Sequence, residues 1–285
     1  MLLRTIAVAA AFALVVGTLV VAALVACLGA KRLRSEIGNA ERVGTRLRAV
    51  APYAAVLAAV LAINKGFQER IWALSEAVGY EATGLFYRIE GDLVAGVQAA
   101  IPDVAATYFA FVYMFGYGLL LVCPLFLYLF AASPQPLKAL LAAYTVNYAA
   151  AVVAYTLVIA HGPRRAVGGT QGVLQEAFPY FTLLTGQVNQ PTNVFPSLHT
   201  SMSVTVLLFA VLTRDQFPRW VPIAAVLTGS IVLATMYLGI HWLTDVVAGV
   251  ALAVAAVGVS SRLVGRSERS GASRVGGTNP DRTQD

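Results

Sequence analysis

The sequence predicts an all-α protein: a polytopic membrane helical bundle of about seven transmembrane helices, with interfacial amphipathic helices between spans two and three. Three observations predict it. Apolar residues make up 58% of the 285-residue chain and charged residues 12%, with a mean hydropathy of +0.73, which excludes an ordinary soluble core. The apolar residues gather in runs long enough to cross a bilayer. The basic residues gather between alternate runs, the pattern that orients membrane helices.

Residues 5–30 form the first expected span, an anchor helix. Leu24-Val25-Ala26-Cys27 resembles a lipoprotein cleavage box, but the run is longer than a signal core and Lys31, Arg32 and Arg34 follow it as a stop-transfer flank. Residues 31–48 then read as a basic linker, and 49–65 as a short second span. Between 66 and 104, charges such as Glu69, Arg70, Arg88, Glu90 and Asp92 are spaced among Trp72, Leu74, Phe86 and Val97. That mixture suits amphipathic helices broken at Gly79, Gly84 and Gly91. Glu90 and Asp92 are read there as a solvated interfacial face, lining the site from outside being the sharper alternative.

Residues 105–132, rich in Tyr and Phe, form the third span; the Ser133-Pro134-Gln135-Pro136 turn leads into the fourth at 137–160. A polar loop at 161–196 carries His161, Arg164 and Arg165. Spans at 197–213, 220–240 and 242–262 complete the bundle. Cys27 and Cys123 lie singly in apolar runs, making neither a disulfide framework nor a metal motif.

The loops at 31–48, 133–138 and 214–219, with the tail, hold 14 of the 20 basic residues. The positive-inside rule therefore places them in the cytoplasm and the loop 161–196 outside. The net charge of +6 is thus read as topogenic, with no nucleic-acid partner implied. The same assignment brings His199 and His241 to one outer membrane face.

His241 and Asp245 are four residues apart, on one face of a helix. A carboxylate there can hold one imidazole nitrogen and leave the other free to attack an electrophile. His199, from another helix, can protonate a leaving oxygen. Ionisable residues in spans are costly to keep and so mark function. A phosphoryl group would also need anion holders: Ser197 at a helix start, Arg164 and Arg165 from the loop, and Thr235 as a weaker donor. Trp242 and Tyr237 are read as anchors or packing.

Pro196-Ser197-Leu198-His199 and Gly239-Ile240-His241…Asp245 resemble the second and third signature motifs of the type-2 phosphatidic acid phosphatase superfamily. The Pro-Ser-Leu-His form, with Thr235-Met236-Tyr237-Leu238 before the second histidine, is most similar to its inositol phosphorylceramide synthase-like branch. The resemblance covers roughly 137–262. It implies His241 as nucleophile forming a phosphohistidine, Asp245 as its orienting partner and His199 as the acid. Two departures stand out: Ala234-Thr235 replaces the Ser-Arg pair of the phosphatase form, and His161-Gly162-Pro163-Arg164-Arg165 is only a positional counterpart of the first motif.

The expected organisation is an anchor helix and basic cytoplasmic linker over 1–48, a membrane catalytic domain over 49–262, and a disordered polar tail over 263–285. The expected activity is phosphoryl transfer from a lipid phosphate or phospholipid drawn from the bilayer, at the extracytoplasmic face of the cell membrane, with no cofactor and no metal. Zinc finds no His-Glu-x-x-His segment. A transporter or proton relay using the same His/Asp set is the rival class, though the chain lacks the repeated halves that class predicts.

Overall fold

The computed structural model describes residues 2–167 and 194–275. Its first helix, α1 (Leu2–Leu28), ends where Gly29 takes a positive φ of 79°, a conformation glycine adopts without steric cost. Then come α2 (Ala30–Gly38), α3 (Ala40–Val78), α4 (Thr83–Glu90) and α5 (Leu93–Ala100). α6 (Ala106–Phe111) runs through a π-helical stretch, Val112–Gly116, into α7 (Tyr117–Leu129). The remainder is α8 (Gln135–Leu157), the short α9 (Pro163–Ala166), α10 (Leu198–Leu212), α11 (Trp220–Tyr237) and α12 (Leu243–Val275). The all-α membrane architecture holds. Among the described residues six helices are long and apolar enough to cross a membrane, and α10 is a shorter apolar helix.

Several boundaries differ from expectation. The basic stretch 31–48 is helical, not a linker, and α3 absorbs the second span together with 66–78. Gly66 does not interrupt it: a lone glycine costs a helix only about 1 kcal/mol. The first helix is not merely an anchor, since Val16, Val20 and Leu24 are buried in the main core. The last helix continues to Val275, so 263–275 is helical where structureless tail was expected. Extending a nucleated helix is far easier than starting one. Residues 276–285 and most of the polar loop, 168–193, lie outside the described residues.

The main core joins α1, α7, α8, α10 and α11 around Leu120, Leu127, Leu140, Phe209, Trp220 and Ile231. One buried polar group of the bundle shows how partners are found in a medium without water. The buried Asn147 donates to the carbonyl of Ala143 at 2.9 Å and to Oγ1 of Thr205 at 3.0 Å, and accepts from the Ser201 hydroxyl.

The two ends of the bundle are distinct. At one end, Arg46 donates to the carbonyl of Ala132 (2.7 Å), Arg219 to that of Ala26 (3.1 Å), and Gln216 accepts from Ala132 N–H (2.8 Å). These contacts gather the segments 31–48, 133–138 and 214–219, which carry nine of the 20 basic residues. At the other end, α3 and α8 finish in a two-residue parallel pair, β1 (Tyr80–Glu81) with β2 (Val158–Ile159), which no sequence pattern announced. A separate cluster of Ala82, Phe86, Ala160, Val194 and Trp242 packs beside it. The two histidines sit at this second end.

Candidate active site

The site begins at the corner between α11 and α12. Gly239 ends α11 with φ of 65°, the left-handed step that commonly closes a helix. Its N–H bonds the carbonyl of Met236 (2.8 Å), while the N–H groups of Ile240 and His241 both reach the carbonyl of Thr235 (3.0 and 3.1 Å). His241 is thereby held by its backbone just before α12 starts. The residue is 3% exposed. Nδ1 lies 3.4 Å from Oδ2 of the fully buried Asp245, at ion-pair distance but without an aligned hydrogen bond. Contacts of this kind commonly tighten only when substrate is bound.

His199 comes from the first turn of α10. Ser197 caps that helix, its Oγ accepting from Thr200 N–H at 3.2 Å, and its own N–H donates to the carbonyl of Asp245 at 3.0 Å. The helices bearing His199 and Asp245 are therefore bonded directly to each other. Gly249 allows this: a Cβ there would stand 2.6 Å from the Ser197 carbonyl oxygen and 3.1 Å from Thr200 Cβ. The outcome is a His199–His241 ring separation of 6.1 Å. His199 is also flanked by two aromatic rings, Tyr113 at 4.6 Å and Tyr117 at 4.5 Å. Tyr113 lies in the π-helical stretch and Tyr117 opens the helix after it. Such bulges recur at functional sites.

The segment 160–167 is pinned over the corner. Trp242 Nε1 donates to the carbonyl of His161 (2.9 Å), His161 N–H to Thr83 Oγ1 (2.9 Å), and Arg164 N–H to the carbonyl of Gly239 (3.1 Å). Gly162 passes so close to Ile240 that a Cβ would collide with its carbonyl oxygen. Arg164 is half-buried and Arg165 exposed. Burial, then the neighbouring Arg165 cation, pulls the Arg164 pKa below its ordinary value, while Tyr113 works the other way. Arg164 therefore shares the electrostatic surroundings of the tyrosine that packs on His199.

The structure thus unites His199, His241 and Asp245, and brings Arg164 closer to them in environment than Arg165. Ser197 is a buried helix cap. Thr235 is buried too, and its hydroxyl proton is committed to the Val232 carbonyl at 2.7 Å; its link to the site is the carbonyl that holds His241. Trp242 and Tyr237 are buried packing, not membrane anchors. Glu90 is no freely solvated face: its carboxylate accepts from the N–H groups of Leu243 (2.7 Å) and Thr244 (2.6 Å) at the start of α12. The two tyrosines could not be placed from sequence, and for Glu90 the sequence offered lining the site only as the alternative to a solvated face, because no local pattern connects these residues to partners 82 to 154 positions away. For the tyrosines, the Tyr-rich composition of the third span was the available signal.

Fold and site together define a multi-pass membrane protein with a buried His–Asp pair facing a second histidine. A sequence profile described as the PAP2 superfamily matches residues 85–259, and the chain belongs to that superfamily. Membership supports a phosphatase-type reading. It also argues for the enzyme over the transporter reading. Among curated proteins, an uncharacterized protein of Methanocaldococcus jannaschii is 27% identical over 154 residues, 53% of this chain and 59% of the relative. The chain thus spans less than two thirds of that relative's length. No solved structure gives a significant match.

Proposed function

We propose that the protein is a lipid phosphatase or phosphotransferase working through a phosphohistidine on His241. The observation that carries this reading is the approach of His241 Nδ1 to Asp245, with the imidazole of His199 facing the same ring. With Nδ1 turned to the carboxylate, Nε2 is the nitrogen left to attack phosphorus. The P–N bond forms as the bond to the leaving oxygen breaks, and His199 gives that oxygen its proton. In the second step a hydroxyl attacks the phosphohistidine, returns its proton to His199, and frees Nε2. Arg164 supplies positive charge for the phosphoryl oxygens, with Arg165 a weaker second because it is exposed.

The lipid phosphate or phospholipid enters from the bilayer, and the acceptor is water or a hydroxyl of another molecule. The Pro196–His199 motif and the Ala234-Thr235 departure favour the inositol phosphorylceramide synthase-like branch, hence transfer of a phospho-headgroup such as phosphoinositol. The distribution of basic residues favours a site on the extracytoplasmic face of the cell membrane.

The test is covalent trapping. Purified protein quenched during turnover of labelled phosphatidate or an inositol phospholipid should retain phosphate in an acid-labile, base-stable bond, and His241→Ala should remove turnover and label together. Turnover with label retained in His241→Ala would assign the nucleophile elsewhere.

A further inference from the structure

A helix opens with backbone N–H groups that have no partner inside it. At the start of α12 the preceding residue is Trp242, whose side chain has no oxygen with which to cap. Two carboxylates fill the gap. Asp245 turns back so that Oδ2 accepts from Trp242 N–H at 2.8 Å, one half of a capping box. Glu90, at the end of α4, supplies the rest: Oε2 takes Leu243 N–H at 2.7 Å and Oε1 takes Thr244 N–H at 2.6 Å. Nearby, Gln98 of α5 donates to the carbonyl of Tyr237 at 2.7 Å. The amphipathic pair α4–α5 therefore grips the His241 corner from both sides.

The division of labour between the carboxylates matters for His241. Oδ2 of Asp245 already lies between Trp242 N–H and His241 Nδ1, while its buried Oδ1 makes no hydrogen bond. A carboxylate so placed is the nearest spare acceptor on the helix for any N–H group left open in the first turn.

We infer that Glu90 is a positioning residue for the reaction: by occupying the N–H groups of Leu243 and Thr244, it leaves the Asp245 carboxylate to hold His241. This rests on the reading of the His241–Asp245 pair given above. Without Glu90, two unpartnered donors lie within a turn of Asp245 and draw its carboxylate into ordinary capping, away from the imidazole. The amide of Gln keeps one acceptor oxygen in place of two, so Glu90→Gln is an intermediate case.

The experiment is a double-mutant cycle on the purified full chain in lipid nanodiscs, with dioctanoyl phosphatidate as probe. Glu90→Ala should lower kcat about a hundredfold and Glu90→Gln about tenfold, with KM changed less than about twofold. Placed on Asp245→Asn, the Glu90→Ala change should cost less than about twofold, since its effect passes through Asp245. A purely structural brace would cost the same in both backgrounds, and that result overturns the proposal. So does unchanged kcat in Glu90→Ala, or failure of both Glu90 variants to fold. If Asp245→Asn matches the parent in turnover, the His241–Asp245 reading falls first and takes this one with it, a result distinct from any failure confined to Glu90.

Discussion

His199 and His241 are separated by 6.1 Å between ring centroids, and the chemistry assigned to each predicts different substrate dependence. His199→Ala should cost most with an alkoxide leaving group, which needs a proton, and markedly less with a nitrophenyl phosphate, which does not. Equal loss on both substrates would take the acid role from His199. Asp245→Asn should lower kcat by at least about a hundredfold on either substrate while the protein still folds. Arg164 and Arg165 are adjacent in sequence but not alike in structure, one half-buried near Tyr113 and the other exposed. Turnover of Arg164→Ala should therefore fall well below that of Arg165→Ala, and Arg164→Lys should recover only part of it because the planar fork is lost. Equal losses would mean that exposure is no guide to phosphate contact here. At this scale the sequence made the His–Asp pair legible, because four residues along the chain is a local relation, even though His241 stands in the corner before α12 and not, as expected, on one helix face with Asp245. Tyr113 and Tyr117 were illegible, and for Glu90 a place beside the site was readable only as an alternative, not its bonds to α12: these links are made by packing between distant segments.

Among the helices, the crossing of α10 with α12 sets the geometry of the site. It depends on Gly249, where a Cβ would meet the Ser197 carbonyl oxygen at 2.6 Å. Gly249→Ala should push the two helices apart, destabilising the protein by about 2 kcal/mol and lowering turnover with it. Gly258→Ala, on the same helix with nothing within 4 Å of its Cβ, is the matched control and should be neutral or mildly stabilising. Thermal unfolding of both variants in detergent checks this; equal midpoints would remove the crossing from the argument. Hydropathy made helix existence legible almost throughout, and the π-helical stretch in the third span and the β1–β2 pair not at all. Element ends were harder. The run from Ala40 to Val78 looked like a span followed by separate interfacial pieces because its charges change composition, whereas the backbone simply continues.

For the whole molecule, the end of the bundle tied by Arg46, Arg219 and Gln216 is opposite the end that carries the histidines. Basic residues gather at the former, so an epitope tag after residue 285 should be protected from protease added to intact cells. Digestion of the tag from outside would turn the site toward the cytoplasm. One consequence of the architecture concerns depth. The helix that begins at His199's turn has only 15 residues, about 22 Å of rise, whereas the hydrocarbon layer is about 30 Å thick. With its far end held level by the loop through Gln216, its first turn stops short of the opposite surface. In the proposed reaction the phosphate is therefore met below the plane of the headgroups, inside the bundle.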